Sequence, residues 1–205
     1  MHHAVTVIDN FLPDPQQVRE YALSHKFEGV QMDGHTYPGT EVPRNPQFKV
    51  WLERLLSQAV LAQVQILKHA FVTSKEGEFT EQWIHADSIC ATHGAVVYLF
   101  DGHHKHGTAF WRHLESDKTE MNQEFYDALG VDVKDEEQVK NLVAKIKTEG
   151  EDQSFWELAG FSEAKLGRLI FFNSRLFHSR YPREAFGHDL ESSRLILVIF
   201  FNIAP

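Results

Sequence analysis

His85 and Asp87 stand in the run Trp83-Ile84-His85-Ala86-Asp87, an imidazole and a carboxylate two positions apart. On an extended strand, side chains at i and i+2 leave the same face, so both groups can converge on one ion from a single rigid element. A third candidate, His178, follows the apolar run Leu169-Ile170-Phe171-Phe172 and a short Asn173-Ser174 turn. Two imidazoles and one carboxylate on one face of an octahedral iron(II) leave the remaining positions open for a cosubstrate and dioxygen. Arg194 heads the last apolar segment, which runs through Leu195, Ile196, Leu197, Val198 and Ile199 to Phe201. A guanidinium there suits a bidentate pair with a carboxylate.

The His-x-Asp spacing decides little alone. With 13 His and 29 acidic residues in 205 positions, about two His-x-Asp/Glu matches arise by chance. The chain has two, His85-Ala86-Asp87 and His113-Leu114-Glu115. Order separates them: after the first come an apolar strand (94–100), a strand from Gly107 to Trp111, then His178 and Arg194. His113-Leu114-Glu115 reads as a strand-end or loop feature, and His103 to His106, beside Asp101-Gly102, as a solvated hairpin tip. Cys90 reads as a small buried apolar residue, since nothing near it in sequence would lower its pKa.

The elements that must position these residues follow from periodicity and punctuation. A strand is expected over 4–8, and Asp14 followed by Pro15 starts a helix that runs to about Ser24. Phe48, Trp51, Leu52, Leu55, Leu56 and Val60 share one face at the 3.6 period, which predicts a helix over 47–62. Residues 29–46 read as an irregular loop. Strands are expected at 65–73, 79–86, 94–100, 108–112, 167–172 and 194–202, and a polar, helical insertion at 115–165. Helices first and then many short strands indicate one α+β domain, 1–205, with 1–63 as helical support and the sheets forming a sandwich or barrel. The loop 29–46 and the insertion are candidate lids over a substrate.

Composition bounds the partners. Twenty Lys and Arg against 29 Asp and Glu give a net charge of −9, so duplex nucleic acid is a poor expectation. No apolar run approaches the ~18 residues of a membrane span, so no membrane partner is expected. One cysteine excludes an intrachain disulfide, which fits a reducing cytoplasm. Composition leaves the oligomeric state open, a homodimer included.

The ordered set His85-x-Asp87, His178 and Arg194 resembles the 2-oxoglutarate/iron(II) dioxygenase superfamily over roughly residues 65–205, in texture its prolyl-hydroxylase-like branch. The resemblance implies a double-stranded β-helix (jelly-roll, cupin-like) core with N-terminal flanking helices and a helical insertion. It implies that His85, Asp87 and His178 are the catalytic metal ligands and bind Fe(II), and that Arg194 holds the distal carboxylate of 2-oxoglutarate. It further implies hydroxylation of a small-molecule or peptide substrate by O2, with decarboxylation of 2-oxoglutarate to succinate. Two departures stand out. Arg194 lies 16 residues after His178, a longer gap than the family usually shows, so Arg180 and Arg183 are rivals for the anchoring role. The run Thr73-Ser74-Lys75-Glu76-Gly77 lacks the branch's Tyr before Gly, which shifts cosubstrate contacts toward Thr73, Gln82 or Tyr98. Two other readings compete: a zinc-dependent hydrolase or isomerase on a cupin-like barrel, and a non-enzymatic binding module on the same barrel.

Overall fold

The computed structural model describes residues 5–27, 30–32, 35–37, 39–78, 83–87, 91–102 and 105–204. Along the chain run β1 (Thr6–Ile8), α1 (Pro15–Leu23), β2 (Val30–Met32), β3 (His35–Tyr37), β4 (Thr40–Glu41), α2 (Pro46–Val60) and β5 (Val64–Ser74). Then follow β6 (His93–Tyr98), β7 (Gly107–His113), α3 (Gln123–Ala128), α4 (Glu136–Glu149), β8 (Trp156–Glu163), β9 (Leu169–Asn173), β10 (His178–Tyr181) and β11 (Arg194–Ile203). Both N-terminal helices start on a cap followed by proline. Asp14 accepts the Gln17 N–H and Asn45 the Gln47 N–H, each at 2.9 Å. Pro15 and Pro46 give up an N–H that the first turn leaves unpaired anyway.

Six strands form one antiparallel sheet in the order β1-β9-β6-β11-β5-β4, and three form a second, β10-β7-β8. Alternation along β11 sorts side chains between two layers. Leu195, Leu197, Ile199 and Phe201 pack under α1 and α2 with Leu52, Leu56 and Phe71. Ile196 and Val198 face the other way, with Tyr98, Ile170 and Phe172, toward Phe110 of the second sheet. Ala109 and Trp111 of β7 leave the far side of that sheet and pack against Phe125, Leu142 and Ile146 of α3 and α4. Each fully buried Leu, Ile or Phe contributes roughly 1.5–3 kcal/mol, so the apolar faces hold the two sheets together. The space between the sheets is where alternation delivers the chemistry-bearing residues.

Two expected elements differ. The helical stretch expected over 115–165 is helix only as far as Glu149, after which β8 pairs antiparallel with β7. As an edge strand β8 buries Trp156 and Ser162 but leaves Glu157, Leu158 and Phe161 exposed, so its polar content hides the strand alternation. The helices of this stretch cover the outer face of the second sheet, which makes them scaffold and not a lid. Of the strand expected at 79–86, residues 79–82 and hence Gln82 lie outside the described residues. From 83 onward there is no ladder, only a single bridge from His85 to His178. The irregular loop expected over 29–46 instead holds β2 and β3, which pair with each other, and β4, which pairs with β5; Cys90, His103, His104 and residues 29, 33, 34 and 38 lie outside the described residues.

Candidate metal centre

Backbone hydrogen bonds, not a strand, hold His85 and Asp87 in place. The Ile84 N–H donates to Gly150 O at 3.0 Å, and His85 and His178 exchange N–H···O bonds of 3.0 and 2.8 Å. The Asp87 N–H donates to Ser174 O at 2.9 Å. Trp83 locks the start of the segment, its indole N–H donating to Arg180 O at 2.9 Å. The three candidate ligands therefore arrive on one segment and the adjoining β10.

Each imidazole is oriented through its other nitrogen. His85 Nδ1 lies 3.1 Å from Trp83 O and His178 Nδ1 2.8 Å from Leu176 O. A carbonyl only accepts, so Nδ1 carries the proton and Nε2 presents a lone pair. Both lone pairs point at one carboxylate oxygen. Asp87 Oδ1 is 3.9 Å from His85 Nε2 and 3.8 Å from His178 Nε2. These separations are too long for hydrogen bonds. Three possible ligand atoms thus converge, and the neutral His178 Nε2 faces Asp87 Oδ1 at a distance that a cation between them would bridge. An ion about 2.1 Å from each ligand at right angles sets neighbouring ligand atoms about 3 Å apart. A closure of under about 1 Å reaches that spacing.

Protonation states agree with ligand duty. Burial pushes the Asp87 carboxyl up to about 6, partly offset by His85, and pushes His178 down to about 4, partly offset by its bond to Leu176 O. At neutral pH Asp87 is therefore anionic and His178 neutral, the forms that bind a metal. The side chains of Asp87 and His178 are 10% exposed and that of His85 is 36%, so the site opens on the His85 side.

A glycine makes room for the carboxylate. A Cβ on Gly94 of β6 would stand 2.8 Å from Asp87 Oδ2 and 3.5 Å from the Phe172 ring. Nothing in the sequence pattern singled out Gly94, because the clash arises only when β6 meets the 83–87 segment in space.

The candidate cosubstrate residues divide. Arg194, at 7% exposure, faces the space between the sheets on the same side of β11 as Ile196. Its Nε is buried without a hydrogen-bond partner among the described residues. Burial pushes its pKa down to about 10, partly offset by Tyr98. Tyr98 lines the same space, its hydroxyl 2.8 Å from Thr108 Oγ1, and burial pushes it up to about 12. Thr73 does not join them. It pairs with Leu195, whose side chain faces α1 and α2, and its hydroxyl is taken by Ser193 Oγ at 2.6 Å. Of the rival anchors, Arg183 is spent on Glu151, donating to its carbonyl at 2.6 Å and to its carboxylate, and lies over the Trp83 ring. Arg180 stays in contention, because its Nε and Nη1 are buried and unpartnered among the described residues.

A second cluster, His113, Glu115 and Glu149, also gathers possible ligand atoms. There every position is filled. His113 Nε2 lies 3.0 Å from Glu149 Oε2, and its Nδ1 3.0 Å from Ser116 Oγ. Lys145 pairs with Glu115 and, at 3.7 Å, with Glu149. This is a hydrogen-bonded ion-pair network, with the lysine ammonium supplying the positive charge.

Structural neighbours have the same fold at low sequence identity. The non-heme alpha-ketoglutarate-dependent epimerase SnoN from nogalamycin biosynthesis matches with a TM-score of 0.56 at 12% identity, over 97% of this chain and 76% of that one. A Pseudomonas putida prolyl-4-hydroxylase matches with a TM-score of 0.53 at 16% identity, over 100% and 95%. HygX from Streptomyces hygroscopicus, solved with nickel and 2-oxoglutarate bound, matches with a TM-score of 0.53 at 13% identity, over 97% and 82%. The fold is therefore the double-stranded β-helix of the 2-oxoglutarate-dependent non-haem iron oxygenases, with helices on both outer faces. No curated protein matches the chain in sequence. The chain belongs to the family of unknown function DUF6445, whose model matches residues 1–201.

Proposed function

We propose that this protein is a 2-oxoglutarate-dependent oxygenase that binds Fe(II) through His85, Asp87 and His178, anchors 2-oxoglutarate on Arg194, and hydroxylates a small-molecule or peptide substrate. One observation carries the reading. Three possible ligand atoms, on His85, Asp87 and His178, lie within 4.8 Å of one another, in the same space between the sheets as an arginine, Arg194, whose buried Nε has no hydrogen-bond partner among the described residues. That donor set suits a divalent metal and a carboxylate together. A fold neighbour holding nickel and 2-oxoglutarate supports it.

Iron(II) with 2-oxoglutarate and O2 would supply the oxidation of a C–H bond, the cosubstrate leaving as succinate and CO2. The chain's own residues set the conditions. Trp83 O and Leu176 O fix the two rings so that both Nε2 lone pairs face inward. Gly94 lets the Asp87 carboxylate lie against β6. Phe172, with its ring centroid 4.6 Å from that of His178, and Phe110 wall the interior against water. Arg194 has a planar fork for the distal carboxylate, and burial strengthens that pair. A zinc hydrolase on the same barrel has no use for this guanidinium, and nothing observed favours that reading.

Among the described residues no helix is long and apolar enough to cross a membrane. We take the cytoplasm as the working compartment and duplex nucleic acid as no partner.

The test is turnover of the cosubstrate. Purified protein with Fe(II), 2-oxoglutarate and O2 should form succinate at a slow uncoupled rate that His85→Ala and Asp87→Ala both abolish. Succinate formation that persists in both variants at the wild-type rate contradicts the proposal.

A further inference from the structure

Arg180 sits two residues after His178 on β10, so both side chains leave the same face, about 7 Å apart along the strand. That face is the inner one. Arg180 is the register partner of Thr108, whose hydroxyl meets Tyr98, while Ser179 between them points outward to the Trp111 indole N–H at 2.9 Å. The guanidinium has buried Nε and Nη1 donors with no partner among the described residues. The charges that act on it are Arg183, Glu184 and Glu78, and it acts in turn on Arg194 of β11. Among the described residues none forms an ion pair with it: Arg183 is bound to Glu151, Glu78 is held by Lys75, and Glu184 is exposed. Buried donors left without acceptors are costly, and such groups are retained where a ligand completes them.

Two guanidiniums in one interior need two anions or share one. Position separates them. Arg194 is almost wholly buried at the head of β11, whereas Arg180 is only partly buried, and Glu78 and Glu184 stand on the flanking loops, which are joined by the Glu76 N–H donating to Gly187 O at 2.9 Å. The deeper cation suits the ligand that binds first and stays enclosed. The shallower one suits the ligand that enters last. Formal charges agree: a divalent ion with Asp87, Arg180 and Arg194 leaves a positive surplus that the 2-oxoglutarate dianion does not cancel, so a monoanion completes it.

We propose that Arg180 receives a carboxylate of the prime substrate, so that this protein oxidises a C–H bond in a carboxylate-bearing molecule held beside the metal. The inference rests on the oxygenase reading above.

The experiment uses full-length protein loaded with redox-silent Zn(II) and saturating 2-oxoglutarate. Its probes are N-acetylglycine and the neutral N-acetylglycinamide, followed by saturation-transfer NMR. Wild type should give signal with the acid and at least about tenfold less with the amide, the difference one bidentate pair makes. Arg180→Met should lose the acid signal while its affinity for 2-oxoglutarate stays within about threefold, and Arg180→Lys should restore part of the signal. Arg194→Met should weaken 2-oxoglutarate binding about tenfold or more. Acid binding that survives in Arg180→Met overturns the proposal, as does equal binding of acid and amide. Weakening of 2-oxoglutarate in Arg180→Met as large as in Arg194→Met also overturns it, since Arg180 would then hold the cosubstrate. Each of these leaves the oxygenase reading standing. Absence of 2-oxoglutarate binding to the wild type sinks both. Melting curves of the variants guard against misfolding, and removal of an unpaired buried charge should raise them.

Discussion

Among its described residues this molecule gathers His, Asp and Glu in two places, and the two clusters differ in what lies between the side chains. At His113 the imidazole, Glu149 and Ser116 stand 3.0 Å apart in hydrogen bonds, and Lys145 supplies positive charge beside Glu149 and Glu115. At His85 the Nε2 atoms of His178 and His85 stand 3.8 and 3.9 Å from Asp87 Oδ1, and each ring turns its Nδ1 to a backbone carbonyl. Both satisfy the same spacing in sequence, His-x-acid plus one distant partner. The difference shows that residue type and spacing do not define a metal site; the placement of protons does. A network whose lone pairs already meet N–H or O–H groups is structure, and one whose possible ligand atoms converge beyond hydrogen-bond distance is the candidate for a cation.

The comparison can be broken by mutation, starting where the effect is largest. Asp87→Ala should cut Fe(II) affinity by about 1,000-fold or more, beyond the 10–100-fold typical of residues that only orient a ligand. His113→Ala should leave it within about twofold, as isothermal titration with Fe(II) or Mn(II) can show. Glu149→Ala should do the opposite. It strips the buried His113 of its partner and should cost about 3 kcal/mol of stability by urea unfolding, with metal affinity unchanged. If Glu149→Ala weakens metal binding and Asp87→Ala only stability, the two clusters have been assigned the wrong way round.

Smaller effects sharpen the contrast. Gly94→Ala puts a methyl group 2.8 Å from Asp87 Oδ2 and should lower metal affinity about tenfold, in the range of orienting residues. Arg194→Met removes a buried donor that the apo protein leaves unpaired. It should raise apo stability by about 1 kcal/mol while weakening 2-oxoglutarate binding, the trade expected where a site is kept at the expense of the fold. A destabilised Arg194→Met would mean that the guanidinium has a structural partner.

Much of the scaffold was legible from sequence. The cap-and-proline pair Asp14-Pro15 marks one helix start, the apolar face from Phe48 to Val60 marks a second helix, and the β-branched and Phe runs of β9 and β11 announce buried strands. What escaped depends on contacts between distant segments. Glu149 meets His113 across 36 residues, so no local pattern reveals that the second His-x-acid motif is satisfied. Thr73 stood beside Gln82 and Tyr98 as an expected cosubstrate contact until the register set it opposite Leu195, on the helix side. β8 looked helical because an edge strand with an exposed face tolerates Glu and Ala. Arg180 was visible as a rival anchor two residues after His178, but that its Nε and Nη1 are buried without a partner among the described residues is a fact of packing and not of sequence.

The most direct test of the central claim is anaerobic titration of the protein with Fe(II) and 2-oxoglutarate, following the weak visible charge-transfer band of the iron chelate. The account predicts a saturable band in the wild type and in His113→Ala, and none in His178→Ala. No band in the wild type, or one that survives undiminished in His178→Ala, contradicts it.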